Sequence, residues 1–418
     1  MSGLISRNAT EIAAEILSAF PALTIDGARQ VGKSTFAAML ADQHDDAQIV
    51  TLDDGAARDF ARIDPEGFVN QNETGLLVID EIQRAPDLLL PIKAAIDRAR
   101  RPARFILTGS ADLLRLERTP DSLAGRAISL RLHGLSQGEA NGRREGFVDW
   151  FLRATSSEPA AFTTPTTRDD YIRILAAGSY PELRRLSARL RDQWLESYLQ
   201  RIVQLDARDV RQRVEPTRMV SILRLLAANQ SGELVKKRIA DAADLPASTV
   251  TGYLDTLQTL FLTDNLPPWT PNLTSREIGR PKVTIPDSAL AMHLTQISPA
   301  DLQPLIDNNH LGPLAEGLVV AELRKQQTWS NSRYRMFHYR DRDKVEVDLI
   351  IELPDRRILG VEVKAGRTYK AEHFKGLRFL ADKLGDQFAG GFVLGTADHG
   401  VQIGQRLWGL PIAALWEL

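Results

Sequence analysis

The chain has 418 residues, 43% of them hydrophobic and 25% charged, with a net charge of −2 and no cysteine. That length suits two to four domains at roughly 100–200 residues each. The near-neutral balance excludes binding of nucleic acid through an overall basic field, so any such site is local. The lack of cysteine excludes disulfides and thiolate metal sites and fits a reducing, cytoplasmic setting.

In chain order, Ala22-Leu23-Thr24-Ile25 reads as a short buried strand and Phe36-Ala37-Ala38-Met39-Leu40 as a helix. Between them Gly27-Ala28-Arg29-Gln30-Val31-Gly32-Lys33-Ser34 matches the phosphate-loop pattern G-x-x-x-x-G-K-[ST] at every fixed position. Glycines let the backbone turn its N–H groups toward a phosphate, and the positive end of the following helix faces the same anion. The expected nucleotide-binding residues are Gly27, Arg29, Gln30, Val31, Gly32, Lys33, Ser34 and Thr35. Lys33 is expected to reach the β- and γ-phosphates of ATP, and Ser34 to ligate Mg²⁺.

Ile49-Val50-Thr51-Leu52-Asp53 fits a further strand. Leu76-Leu77-Val78-Ile79-Asp80-Glu81 reads as a buried parallel strand with carboxylates at its C-terminal end. Asp80 is expected to reach Mg²⁺ directly or through its water, and Glu81 to orient and deprotonate the attacking water. The strand Phe105-Ile106-Leu107-Thr108-Gly109-Ser110 ends in two hydroxyls, either of which is a candidate to hydrogen-bond the γ-phosphate or the water, with Ser110 the expected sensor. Arg126 follows in Ser122-Leu123-Ala124-Gly125-Arg126, placed to contact a γ-phosphate in its own subunit or in a neighbour's. Ile128 to Leu132 closes this sheet.

Gln137 to Gly146 reads as a polar loop, and the Ser-, Thr- and Pro-rich stretch from Thr155 to Arg168 as a linker or disordered loop. Helical spacing resumes with Tyr171, Ile174 and Leu175, then Trp194, Tyr198, Ile202 and Leu205, around a turn at Gly178-Ser179-Tyr180-Pro181-Glu182. From about Val214 to Leu294 the pattern is that of a winged helix. Its third helix buries Val250, Leu254, Leu257 and Phe261 and exposes Ser248, Thr249, Thr251 and Tyr253. That helix carries no Lys or Arg, and such modules also dock proteins.

In the last quarter, Glu346 to Ile351 and Gly360 to Lys364 read as strands joined through Leu353-Pro354-Asp355-Arg356. The hairpin would bring Asp348 beside Glu362, and period two puts Lys364 on the face of Glu362. Two adjacent carboxylates can hold Mg²⁺ or Mn²⁺ through oxygen, and Lys364 could activate water. This is the D…E-x-K arrangement of PD-(D/E)xK nucleases. Glu316, on a helix from Leu314 to Arg324, is the expected third acid, with Glu322 as the fallback.

The phosphate loop, Asp80-Glu81-Ile82-Gln83, Leu107-Thr108-Gly109-Ser110 and Leu123-Ala124-Gly125-Arg126 resemble those of the bacterial and archaeal AAA-type ATPases with a DUF4143 C-terminal region. Gly178 to Glu182, Trp194, Tyr198, Lys282, Asp287, Glu316 to Leu323, Asp348 and Glu362-Val363-Lys364 resemble its later blocks, so the likeness spans nearly the full chain. Ala28 stands where that family usually has Pro, and Ser34 where it usually has Thr. The resemblance implies an α/β multidomain chain. An AAA-like parallel-sheet ATPase core (1–145) is followed by a linker and helical segment (146–213), a winged helix (214–295) and a restriction-endonuclease-like α/β domain (296–418). The expected function is Mg²⁺-dependent ATP hydrolysis that drives or gates a conformational change, coupled to DNA binding or processing by the C-terminal nuclease-like domain. The alternative is a nucleotide-dependent switch on protein partners. A homo-oligomer is expected if Arg126 acts across subunits. No membrane partner is expected, because no apolar run reaches roughly 18 residues and Met1 to Arg7 lacks the apolar core of a signal peptide.

Overall fold

Five strands form the N-terminal sheet: β1 (Ala22–Asp26), β2 (Gln48–Thr51), β3 (Leu77–Asp80), β4 (Phe105–Gly109) and β5 (Ala127–Arg131). They lie in the order β2-β3-β4-β1-β5, every pair parallel. β1 and β4 are buried at every position, as apolar runs in the middle of a helix-covered parallel sheet must be. β4 lies between β1 and β3, so its polar C-terminal end stands between the ends of those two strands. This is a computed structural model; it describes residues 4–418 other than 111–122, 156, 211–213, 273, 275, 277–278 and 305–308.

One face of this sheet shares a core with the next part of the chain. Leu23 and Ile25 belong to the same buried cluster as Tyr180, Tyr198, Leu223 and Leu290. Tyr180, in the turn after helix Arg168–Ala177, and Tyr198, in helix Ala188–Arg201, both belong to it. A capping box at Thr167 starts the first of these helices, and Gly178 ends it at φ 65°.

Helices Pro216–Ala228, Lys236–Ala243 and Ala247–Thr259 then pack with a small antiparallel sheet of β6 (Gly232–Glu233), β7 (Asp264–Leu266) and β8 (Lys282–Thr284), ordered β6-β8-β7. Ser248 and Thr249 are exposed. Tyr253, expected at the surface, is buried, and its hydroxyl accepts from the Glu215 N–H at 3.2 Å. The helix is covered on more than one side, so a single apolar stripe underestimates its buried face.

The C-terminal sheet has six strands: β9 (Arg335–Arg340), β10 (Glu346–Glu352), β11 (Ile358–Val363), β12 (Phe388–Gly395), β13 (Val401–Gly404) and β14 (Leu407–Pro411). Their order is β13-β14-β12-β11-β10-β9. β9, β10 and β11 run antiparallel, and β11, β12 and β14 parallel. Helix Leu311–Gln326 covers one face through Val319 and Leu323, and helix Lys375–Leu384 the other through Leu377 and Leu380.

Two stretches differ from expectation. Gln137–Ala140 is a helical turn within the polar loop, started by a capping box at Ser136. The start of the expected linker region is a helix, Phe147–Arg153, and it packs on the C-terminal sheet. The Phe147 and Phe151 rings lie 5.2 and 5.3 Å from that of Phe392. Thr163 bridges to His399, so residues of the Ser/Thr/Pro stretch are also fixed there. Among the described residues no helix is long and apolar enough to cross a membrane.

Candidate functional site

The loop between β1 and helix Lys33–Ala41 is shaped by glycine. A Cβ on Gly27 would stand 2.1 Å from the Leu132 carbonyl oxygen, and Gly32 adopts φ 97°. Gly32 brings no side-chain cap to the helix that follows, which leaves its first-turn N–H groups for an anion. The Lys33 Nζ donates to the carbonyls of Gly27 at 2.9 Å and Ala28 at 2.8 Å. Burial pulls its pKa down to about 8, against the raising pull of Glu81 and Asp80. Arg7, not singled out in the sequence, braces the loop by donating to the Val31 and His133 carbonyls at 3.0 and 2.7 Å.

The acidic end of β3 lies beside this loop. Ser34 Oγ donates to Asp80 Oδ1 at 2.7 Å, as does Thr108 Oγ1 at 2.5 Å, and Thr51 Oγ1 reaches Asp80 Oδ2 at 3.3 Å. The Thr108 oxygen also accepts from the Glu81 N–H at 3.1 Å. Glu81 sits at φ 59°, a left-handed conformation that turns the chain sharply after the strand. Gln83 donates to Glu81 Oε2 and, at 2.9 Å, to Ser110 Oγ, while Ser110 stands 3.4 Å from the same carboxylate. The two hydroxyls ending β4 are thus divided, Thr108 to Asp80 and Ser110 to Glu81. Thr51 was legible only as a polar residue in a strand, and Gln83 only as part of the block that follows Asp80, with no role attached.

A hydroxyl and a carboxylate 2.7 Å apart beside an anion-binding loop are a donor set suited to Mg²⁺ with an ATP phosphate. Two expected nucleotide-side residues point elsewhere. The Arg29 guanidinium turns away from the loop to Asp206, at 2.9 and 3.2 Å, both side chains nearly buried. Arg126 immediately precedes β5, at the end of the strands opposite the phosphate loop, and pairs with Asp97 at 2.7 and 2.9 Å. A strand of five residues, at about 3.3 Å per residue, separates it from the loop of its own chain, so the own-subunit contact is not made. Gln30, Val31 and Thr35 lie in the loop and the first helical turn, Gln30 at φ 63°.

In the C-terminal sheet Leu349 pairs with Val361, and the same register sets Asp348 beside Glu362, with the Val363 N–H donating to Asp348 Oδ2 at 2.8 Å. Glu316 joins them from helix Leu311–Gln326. Glu322 does not; it is fully buried, accepting from the Gln137 N–H at 2.8 Å and Lys325 Nζ at 2.6 Å. Lys364 Nζ is 2.5 Å from Glu362 Oε1. Lys282 of β8 puts its ammonium among the acids, 2.8 Å from Glu316, 3.1 Å from Glu346 and 3.5 Å from Asp348. Burial alone would lower the Lys282 pKa, but Glu316, Asp348 and Glu346 outweigh it and hold the ammonium above the ordinary lysine value. The carboxyls of Glu316 and Glu362 are held above their usual range, by burial first and then by Asp348.

These residues do not fit the expected second metal. Among the described residues no group of three or more His, Cys, Asp or Glu is arranged to hold a metal ion. The sequence-level expectation at Glu316, Asp348 and Glu362 is corrected by a lysine contributed from a different sheet.

Residues 19–141 match the model of an AAA domain, 168–301 that of a domain of unknown function (DUF8612), and 311–415 that of another (DUF4143). The chain is 28% identical over 352 residues to an uncharacterized protein of Mycobacterium bovis, Mb2031c, and to one of Mycobacterium tuberculosis, Rv2008c. Each match covers 83% of this chain and 71% of the relative. Among solved structures, the Walker-type ATPase PABY2304 of Pyrococcus abyssi is 14% identical, with 70% of this chain and 96% of that one covered at a TM-score of 0.44. A STAND-class signal-transduction ATPase with a tetratricopeptide-repeat sensor from Pyrococcus horikoshii is 13% identical, with 78% and 46% covered at a TM-score of 0.28. With its phosphate loop and parallel sheet, residues 19–141 are an AAA-type ATPase domain and residues 311–415 a DUF4143 region, the combination that the sequence motifs resemble.

Proposed function

We propose that this protein hydrolyses ATP with Mg²⁺ and uses the cycle to gate a conformational change. The observation that carries the reading is the junction of Ser34, Asp80 and Thr108, with Glu81 one residue beyond. Lys33 exchanges its two loop carbonyls for the β- and γ-phosphates, and Ser34 and Asp80 hold the magnesium ion. Bound there, the ion neutralises charge developing on the phosphates. Glu81 takes the proton of the attacking water, and Ser110 and Gln83 orient its carboxylate. Arg126 acts only across subunits of a homo-oligomer, a role supported by its place at the end of the strands opposite the phosphate loop, where it is half-buried against Asp97.

The cycle is coupled to DNA. The support is a groove of about 460 Å³ lined by Lys236, Lys237 and Arg280, between the small sheet and two helices of a module with winged-helix element order. The strand order and acid placement of residues 296–418 favour a nuclease-like fold used for binding, since their acidic centre does not suit a metal ion. Cleavage by Lys364 and its neighbours is not part of the reading.

The test is ATP turnover by the purified protein with and without single-stranded, duplex and branched DNA. Lys33→Ala is expected to abolish tight ATP binding; unchanged affinity removes the phosphate-loop assignment. Glu81→Gln is expected to bind ATP yet turn over at least roughly a hundredfold more slowly. Turnover indifferent to every DNA form moves the reading to a switch acting on protein partners. Turnover independent of protein concentration removes the subunit-bridging role of Arg126.

A further inference from the structure

Four carboxylates, Glu316, Glu346, Asp348 and Glu362, converge on the C-terminal sheet with two ammoniums, Lys282 and Lys364. The first of these lysines comes from outside the domain. β8 pairs Lys282 with Glu233 of β6 and Leu266 of β7. The chain leaving β7 runs along β9, bridging Pro268 to His338, with the Trp269 N–H donating to the His338 carbonyl at 2.6 Å. This strand addition fixes the small sheet against the large one. Lys282 therefore enters the acidic centre at a set depth, with its side chain only 4% exposed.

We propose that Lys282 is the built-in cation of the C-terminal acidic centre and closes it to divalent metal. An ammonium has three N–H donors, and here three carboxylates surround it. Its spacings of 2.8–3.5 Å are those of charge-assisted hydrogen bonds and ion pairs, with Asp348 the longest. Mg²⁺ would need oxygens at about 2.0–2.1 Å in near-octahedral order, centred where Nζ already stands. A second cation there would meet a buried like charge only a few ångströms away, which is strongly unfavourable at low dielectric. The remaining acid, Glu362, is engaged by Lys364 through Oε1, and Asp348 Oδ2 is engaged by the Val363 N–H. The centre thus ties β8 to β10 and to helix Leu311–Gln326 as an ionic joint between modules.

The inference is independent of the ATPase reading, because its readout is metal binding without nucleotide. Chelator-treated, nucleotide-free protein would be titrated with Mn²⁺ by electron paramagnetic resonance, with thermal melts in parallel. Wild type and Asp348→Asn are expected to bind Mn²⁺ equally weakly and to melt without a Mn²⁺-dependent shift. Lys282→Met removes the ammonium and leaves facing acids. It is expected to gain one Mn²⁺ site with a rise in Tm of several degrees, both lost again in Lys282→Met/Asp348→Asn. A wild-type Mn²⁺ site abolished by Asp348→Asn overturns the proposal, as does a folded Lys282→Met that gains no site. If Lys282→Met does not fold, the comparison of wild type with Asp348→Asn decides alone.

Discussion

Thr108 shows how one hydroxyl can set two acids. It is fully buried, donates to Asp80 and accepts from the Glu81 N–H, so it fixes the metal-side carboxylate and the start of the sharp turn after β3 together. Thr108→Val keeps the shape but strips Asp80 of a donor and leaves the Glu81 N–H without its partner. Losing such a partner in a buried position costs about 1–3 kcal/mol. Urea unfolding should register a loss of that size, and ATP turnover should fall more than ATP affinity does, because the misplaced group is Glu81. Thr108→Ser, which restores the oxygen, should recover most of both. If Thr108→Val matches wild type in stability and turnover, the hydroxyl is a bystander. From the sequence Thr108 and Ser110 were both candidates for contact with the γ-phosphate or the water, and Ser110 was the one preferred. Alternation along a strand gives the face a residue occupies, whereas the partner atom depends on a neighbouring strand remote in the chain.

At the scale of elements, the helical turn Gln137–Ala140 and the segment after it join the ATPase core to the C-terminal domain. Glu139 takes Arg7 Nε at 3.1 Å and the Asn8 N–H at 2.8 Å, while Glu145 Oε2 accepts from Asn8 Nδ2 at 2.8 Å. Burial raises the Glu145 pKa from 4.5 to about 7. Between those values the folded chain keeps a proton that the unfolded chain has released. Stability from this group is therefore complete below the lower value and is lost as pH rises through the higher one. The loss is on the order of 3 kcal/mol, taking about 1.4 kcal/mol per pKa unit. Glu145→Gln, which mimics the protonated form, should equal wild type near about pH 5 and exceed it near about pH 8 by roughly that amount. A constant difference between the two proteins across that range in chemical denaturation would count against burial of a titrating Glu145. Strands written as unbroken apolar runs were readable at this scale, as was the β10–β11 hairpin, because local spacing encodes both. Helix Phe147–Arg153 was not, since its aromatic partners Phe392 and Trp408 lie far along the chain. Lys282 was missed as a member of the acidic centre for the same reason: it is brought there by a pairing between two sheets.

Across the whole molecule, the phosphate loop is tied to the segment beyond the ATPase core. Arg29 bonds Asp206, which ends a π-helical turn continuing helix Ala188–Arg201, and the Tyr198 hydroxyl donates to the Arg29 carbonyl at 3.3 Å. Tyr198 meets Tyr180 through their hydroxyls at 2.8 Å. Next to Tyr180, Ser179 donates to Asp287 through its N–H at 2.6 Å and its hydroxyl at 2.8 Å. Asp287 caps the helix that follows β8, and β8 begins with Lys282. Contiguity alone does not establish coupling; a change at one end must alter an equilibrium at the other. In the proposed cycle ATP takes Lys33 from the Gly27 and Ala28 carbonyls next to Arg29, so it should slow amide exchange in helix Ala188–Arg201 and the turn after it. Asp206→Ala should abolish that response. It should also destabilise the chain by about 3–5 kcal/mol, the usual cost of leaving one buried charge without its partner. Asp206→Asn, which retains an acceptor for the guanidinium, should lose less stability and keep part of the response. By reciprocity of linkage, whatever Asp206 contributes to the helix's response to ATP it contributes equally to ATP affinity, so Asp206→Asn should weaken ATP binding by the same factor. Undiminished exchange protection in Asp206→Asn, with wild-type ATP affinity, would show that the nucleotide signal leaves the loop by another route.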